Sequence, residues 1–75
     1  MIIGGYAIIL AFSTSHALRI EKLLKQQGVD CKLIPVPRQI SSDCGVCVRI
    51  AQSQIEMARA IVLAAKVEIQ DMVAV

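Results

Sequence analysis

Aromatic residues are almost missing from this chain: one Phe, one Tyr and no Trp occur among 75 residues. A stacking platform for single-stranded nucleic acid cannot be assembled from so few rings. The hydrophobic share is nevertheless 56%, so the core must be aliphatic. Charge is scarce too. Eight Lys and Arg against six Asp and Glu give a formal +2 with no basic run, which argues against a nucleic-acid partner. The longest apolar run, Tyr6 to Phe12, is far below the roughly 20 residues that span a bilayer, so no membrane partner is expected. The start of the chain lacks the basic region and cleavage site of a secretory signal. Three cysteines, an odd count, fit a closed disulfide framework poorly. Reduced thiols and a cytoplasmic location are the simpler expectation.

What is present reads as one domain over residues 1–75, with residues 1–5 as a flexible lead-in because Gly4 and Gly5 are adjacent. Tyr6 to Phe12 has the length and composition of a buried strand. Ser13, Thr14 and Ser15 can each cap a helix. The helix they open carries Ala17, Ile20, Leu23, Leu24 and Gln27 on one face and Arg19, Lys22, Lys25 and Gln26 on the other. Glu21 and Lys25 have the favourable i,i+4 spacing, and Gly28 is a natural stop. Cys31 to Val36 reads as a second strand, closed by Pro35 and Pro37. Arg38 to Gly45 is loop. The alternation from Val46 to Ala51 predicts a third strand. Ser53-Gln-Ile-Glu56 has the form of a capping box, predicting a second helix to about Ala65 or Lys66. Val67 to Val75 completes the pattern as a fourth strand.

The order strand, helix, strand, strand, helix, strand is that of a ferredoxin-like α+β fold. It implies a split βαββαβ sandwich, a four-stranded antiparallel sheet with two helices on one face. The uncovered face is expected to carry Ala7, Ile9, Ala11, Cys47 and Arg49, and to pair with a second copy as a homo-oligomer.

In that topology the first and third strands are antiparallel central neighbours. The Ser13-Thr14-Ser15-His16 turn then lies beside Cys44, and the loop holding Arg38, Ser41, Ser42 and Asp43 reaches the same edge. A helix N-terminus carries about half a positive charge. It favours anions and raises the thiolate fraction of a cysteine held there. Arg38 adds to this field, Asp43 opposes it, and Gly45 permits close backbone approach. Cys44 sits in a polar loop with no packing reason to be there, which marks it as the chemical thiol. Cys47 fits the strand pattern as a small apolar residue, with a resolving thiol as its functional alternative. Cys31 shares a face with Leu33 and Pro35 and reads as packing. On a regular strand Cys44 and Cys47 would lie roughly 10 Å apart on opposite faces, too far for a disulfide. His16 is a candidate for proton transfer. No cofactor is indicated, and one His with two Cys falls short of a closed zinc set. No nucleophile-elbow pattern supports a serine hydrolase.

The stretches "FSTSHALRIEKLLKQQG" and "KLIPVPRQISSDCGVCVRI" resemble a family of small bacterial domains of unknown function described as selenium/sulfur (Se/S) carrier-like. The resemblance covers residues 6–51 and is most specific over Pro-Arg-x-Ile-Ser-x-x-Cys-Gly. It implies a persulfide or perselenide carried on Cys44, in a loop shaped by Pro37, Arg38, Ser41, Ser42 and Gly45, with His16 nearby. It also implies donor and acceptor proteins as partners, so a carrier rather than a stand-alone enzyme. The competing readings are a dimeric anion-binding or assembly module, with Ser13 to His16 and Arg38 as its pocket, and a thiolate metal carrier using Cys44 and Cys47.

Overall fold

A computed structural model describes residues 5–40 and 45–74. The lead-in Met1 to Gly4, the segment from Ser41 to Cys44, and Val75 lie outside the described residues. The elements are β1 (Tyr6–Leu10), α1 (Thr14–Gln26), β2 (Cys31–Pro35), β3 (Val46–Ala51), α2 (Ile55–Ala64) and β4 (Asp71–Ala74). The four strands form one antiparallel sheet in the order β2-β3-β1-β4. This is the ferredoxin-like α+β arrangement that the element order predicts.

The larger core lies between sheet and helices. Ala7, Ile9, Ala11, Val48 and Ile50 meet Ala17, Ile20 and Leu24 of α1 and Ala58 and Val62 of α2. The expectation for the sheet's other face is corrected here. Tyr6 pairs with Ala51 and Leu10 with Cys47. With side chains alternating along each strand, Ala7 and Ile9 point to the helices. Ile8 and Leu10 share the far face with Cys47 and Arg49, and that face is not simply open. Ile8, Leu10 and Cys47 are 0%, 3% and 0% exposed, packed with Ile34, Val36, Ile40 and Val73 in a second core. The start of the β2–β3 loop covers part of it, because Val36 and Ile40 belong to that loop.

Two further boundaries differ from the sequence expectation. Ser53 falls in a 3-10 turn, Gln52–Gln54, ahead of α2, whose N-cap is Gln54 with no side-chain cap bond. The capping box is therefore not formed; the extra turn shifts Ser53 off the capping position. Residues 67–70 are not strand. Val67 turns into the helix-side core, and pairing with β1 begins only at Asp71, opposite Leu10.

Both helices end in the same hydrogen-bond pattern. After α1, Gly28 N–H donates to the Lys25 carbonyl (3.1 Å) and Val29 N–H to that of Leu24 (2.9 Å). After α2, Lys66 N–H donates to the Leu63 carbonyl (3.1 Å) and Val67 N–H to that of Val62 (3.0 Å). These are Schellman motifs, whose turning residue takes positive φ. Gly28 does so at φ 81°, but Lys66 does so at φ 57° with a side chain attached. A non-glycine residue there carries roughly 1 kcal/mol of strain. Lys66→Gly is expected to raise the melting temperature by about 4–8 °C, read by thermal denaturation. An unchanged or lowered value would show that the lysine side chain contributes more than its backbone strains.

Candidate functional site

One end of the sheet gathers the residues that the sequence marks for chemistry. Leu10, at the end of β1, is flanked by Cys47 of β3 and Asp71 of β4, and Pro35, the last residue of β2, pairs with Val46. The chain leaving β1 towards Ser13 and the chain arriving at β3 through Gly45 are thus at the same end of neighbouring strands. Gly45 is exposed, and its carbonyl accepts from Val36 N–H at 3.0 Å, closing the base of the β2–β3 loop.

Ser13 is the N-cap of α1. Its extended backbone (φ −154°, ψ 165°) lets Oγ accept from His16 N–H at 3.2 Å. The same Oγ lies 2.7 Å from His16 Nδ1. A hydroxyl that accepts the amide still has its own proton to donate. It also has a second lone pair, so the contact with Nδ1 forms with either imidazole tautomer. His16 is half-buried, while Thr14 and Ser15 are exposed. The first turn of α1 contains no acidic residue, so the positive end of the helix is not neutralised from within the helix.

Arg38 is exposed in a turn closed by Ile40 N–H donating to the Pro37 carbonyl at 3.0 Å. That turn puts Ile40 onto the far-face core, beside Cys47. Ser41, Ser42 and Cys44, with Asp43, lie outside the described residues. Ser13 to His16, Gly45 and the base of the Arg38 loop are therefore brought to one end of the domain, while Cys47 faces inward among aliphatic side chains.

Cys31 stands at the other end of the sheet, opposite Ile50. Its thiol donates to the Glu21 carbonyl at 3.5 Å. Burial pushes its pKa above the ordinary thiol value; Glu21 and Asp30 add to the rise and Lys25 offsets part of it. Such a thiol is a poor nucleophile at neutral pH. Because the folded value is the higher one, the native state holds this proton more tightly than the unfolded chain. Its contribution to stability is present below the ordinary thiol value of 9.0 and is lost as pH rises through the folded value. Iodoacetamide at pH 8 is expected to label Cys31 more slowly in the native chain than in urea, read by peptide mass mapping. Equal rates would refute a shielded thiol.

The sequence reading missed a hollow at the same end as Ser13. It measures about 640 Å³ and is lined by Phe12, Leu63 and Ile69, with Arg59 and Lys66 among its polar residues. The available signal was Phe12 itself, the one phenylalanine, standing at the end of an apolar run yet 44% exposed. Among the described residues no group of three or more His, Cys, Asp or Glu is placed to hold a metal ion. Among them, too, no helix is long and apolar enough to cross a membrane.

No curated protein and no solved structure matches the chain. A family model described as "Putative Se/S carrier protein-like" matches residues 6–74, which takes in all of the sheet and both helices, and the chain belongs to that family.

Proposed function

We propose that this domain carries sulfur or selenium as a persulfide or perselenide on Cys44 and hands it to a partner protein. Family membership over residues 6–74 supports a carrier. The observation that carries the choice of edge is the β1–β3 register, in which Leu10 opposite Cys47 brings Gly45, the residue joined to Cys44, to the end where α1 begins. A persulfide is an anion near neutral pH, and a helix N-terminus without acidic residues favours it. Arg38 and the hydroxyls of Ser13, Thr14, Ser15, Ser41 and Ser42 are the further groups assigned to hold it. His16, held by Ser13 through Nδ1, is assigned as a polar contact.

The transfer balances without an oxidant. The Cys44 thiolate attacks the terminal sulfur of a donor persulfide. A new S–S bond forms on Cys44, the donor S–S bond breaks, and the donor leaves as a thiolate. An acceptor nucleophile then takes the terminal sulfur and Cys44 leaves as thiolate in turn. The domain turns over only with partners, which is carrier behaviour.

Incubation with a cysteine desulfurase and cysteine tests this by intact-protein mass spectrometry. The expected result is an adduct of about 32 Da, one sulfur atom, mapping to the Cys44 peptide. Native protein that acquires no adduct would overturn the reading.

A further inference from the structure

We propose that the outward face of α2 is a two-fold contact between two copies of this chain, centred on Ala60. A helix on the surface of a small domain ordinarily turns a charged face to water. Between Ile55 and Ala64 only Glu56 and Arg59 are charged, and they pair with each other at 3.3 Å. The rest of the outward face is Met57, Ala60, Leu63 and Ala64, with Met57 and Leu63 exposed to 51% and 70%. Spending two large side chains on water without a partner stabilises nothing.

The arrangement fits a second copy better than a different partner. Met57 lies three residues before Ala60 and Leu63 three after it. A two-fold axis through Ala60 reverses the helix, so Met57 of each copy meets Leu63 of the other. Ala60 and Ala64 form a low floor between these knobs and let the backbones approach. Hollows flank the helix on both sides. One of about 640 Å³ has Phe12 and Leu63 in its wall, and another of about 400 Å³ has Met57 and Ala60. Each accepts the side chain that the second copy brings. The helix dipoles run antiparallel.

Charge separates this face from its rivals. The outward face of α1 carries Arg19, Lys22 and Lys25, and among the described residues only Lys25 of these is matched, by Glu21 at 3.5 Å. Two copies would meet there with like charges. On the far sheet face Ile8, Leu10 and Cys47 are already buried. Tyr6 there has the Arg49 guanidinium 4.2 Å from its ring centre. The α2 face is exposed, largely apolar and without net charge, its one Glu56–Arg59 pair being matched within the helix, so a two-fold brings no net repulsion. A ten-residue helix is about 15 Å long, less than a standard interface needs; the dimer is weak and depends on concentration.

Sedimentation velocity on the unmodified full chain from about 10 µM to about 1 mM tests this. The mean mass is expected to rise from 8.1 kDa towards twice that value. Leu63→Glu and Ala60→Glu, both at exposed positions, are each expected to weaken association at least about tenfold, with circular dichroism showing the native fold. Tyr6→Glu on the far sheet face is expected to associate like the native chain. A constant 8.1 kDa at every concentration would overturn the proposal. So would native-like association of both α2 variants, or loss of association in Tyr6→Glu. If both α2 variants misfold, the native mass and the Tyr6→Glu arm decide by themselves.

Discussion

Ile8→Ala is expected to lower the unfolding free energy by about 2–4 kcal/mol, as much as Ile9→Ala. The two side chains point to opposite faces of β1, and both are fully buried. A two-layer domain has one obvious core, between sheet and helices, and a residue on the other face is normally half in water. Truncating it then costs well under 1 kcal/mol. Here Ile8 belongs to a second cluster closed by Val36 and Ile40 on one side and Val73 on the other. Truncation leaves an apolar cavity whose lining loses those contacts outright, since a cavity without polar partners does not hold water. A chain of this length has a total stability of roughly 4–11 kcal/mol, so either variant forfeits a large part of it. Urea denaturation checks the expectation. If Ile8→Ala proves nearly neutral while Ile9→Ala does not, the second cluster contributes no core energy.

Cys44→Ser is expected to abolish sulfur loading altogether, while Cys47→Ala is expected to load at close to the native rate. The contrast follows from access. A donor persulfide has to bring its terminal sulfur into line with the attacking thiolate. Cys47 is 0% exposed, behind Val36 and Ile40, so no donor reaches it in the native fold. Cys47→Ala takes one buried sulfur atom out of the core, at about 1 kcal/mol, and leaves the sheet register to hold Gly45 where it is. Mass spectrometry of both variants beside the native chain, as a time course, gives loading and decay together. Loading of Cys44→Ser, or a persulfide that outlives its native counterpart several-fold in Cys47→Ala, would make Cys47 a working thiol after all.

Most of the fold was legible because the periodicities are clean. Ile20 and Leu24 mark a helix face, Val46 to Ala51 alternate, and Gly28 and Pro35 punctuate. The face of β1 was not legible. Ala7 to Ala11 is apolar at every position, and an unbroken apolar run does not say which residues alternate where. Only the rung between Leu10 and Cys47 fixes it, and a rung is a relation between distant segments. The Ser53 capping box failed for a similar reason. Its local pattern was correct, but the chain leaving β3 takes a 3-10 turn first. For the site, a strand ending in Ser-Thr-Ser-His was enough to place a capped helix N-terminus. The covering of Cys47 by Val36 and Ile40 was hidden, since nothing in Pro-Val-Pro-Arg-Gln-Ile indicates which way that turn folds.

The hydrogen bond from Val36 N–H to the Gly45 carbonyl joins the two ankles of the β2–β3 loop. Segments clamped in this way can be exchanged for others of different length or sequence without disturbing the scaffold beneath. Here one anchor limits that freedom: Ile40 lies between the ankles and packs on the far-face core, so the rest of the stretch can vary while the ladders of β2 and β3 stay as they are only where an apolar residue is kept at that place.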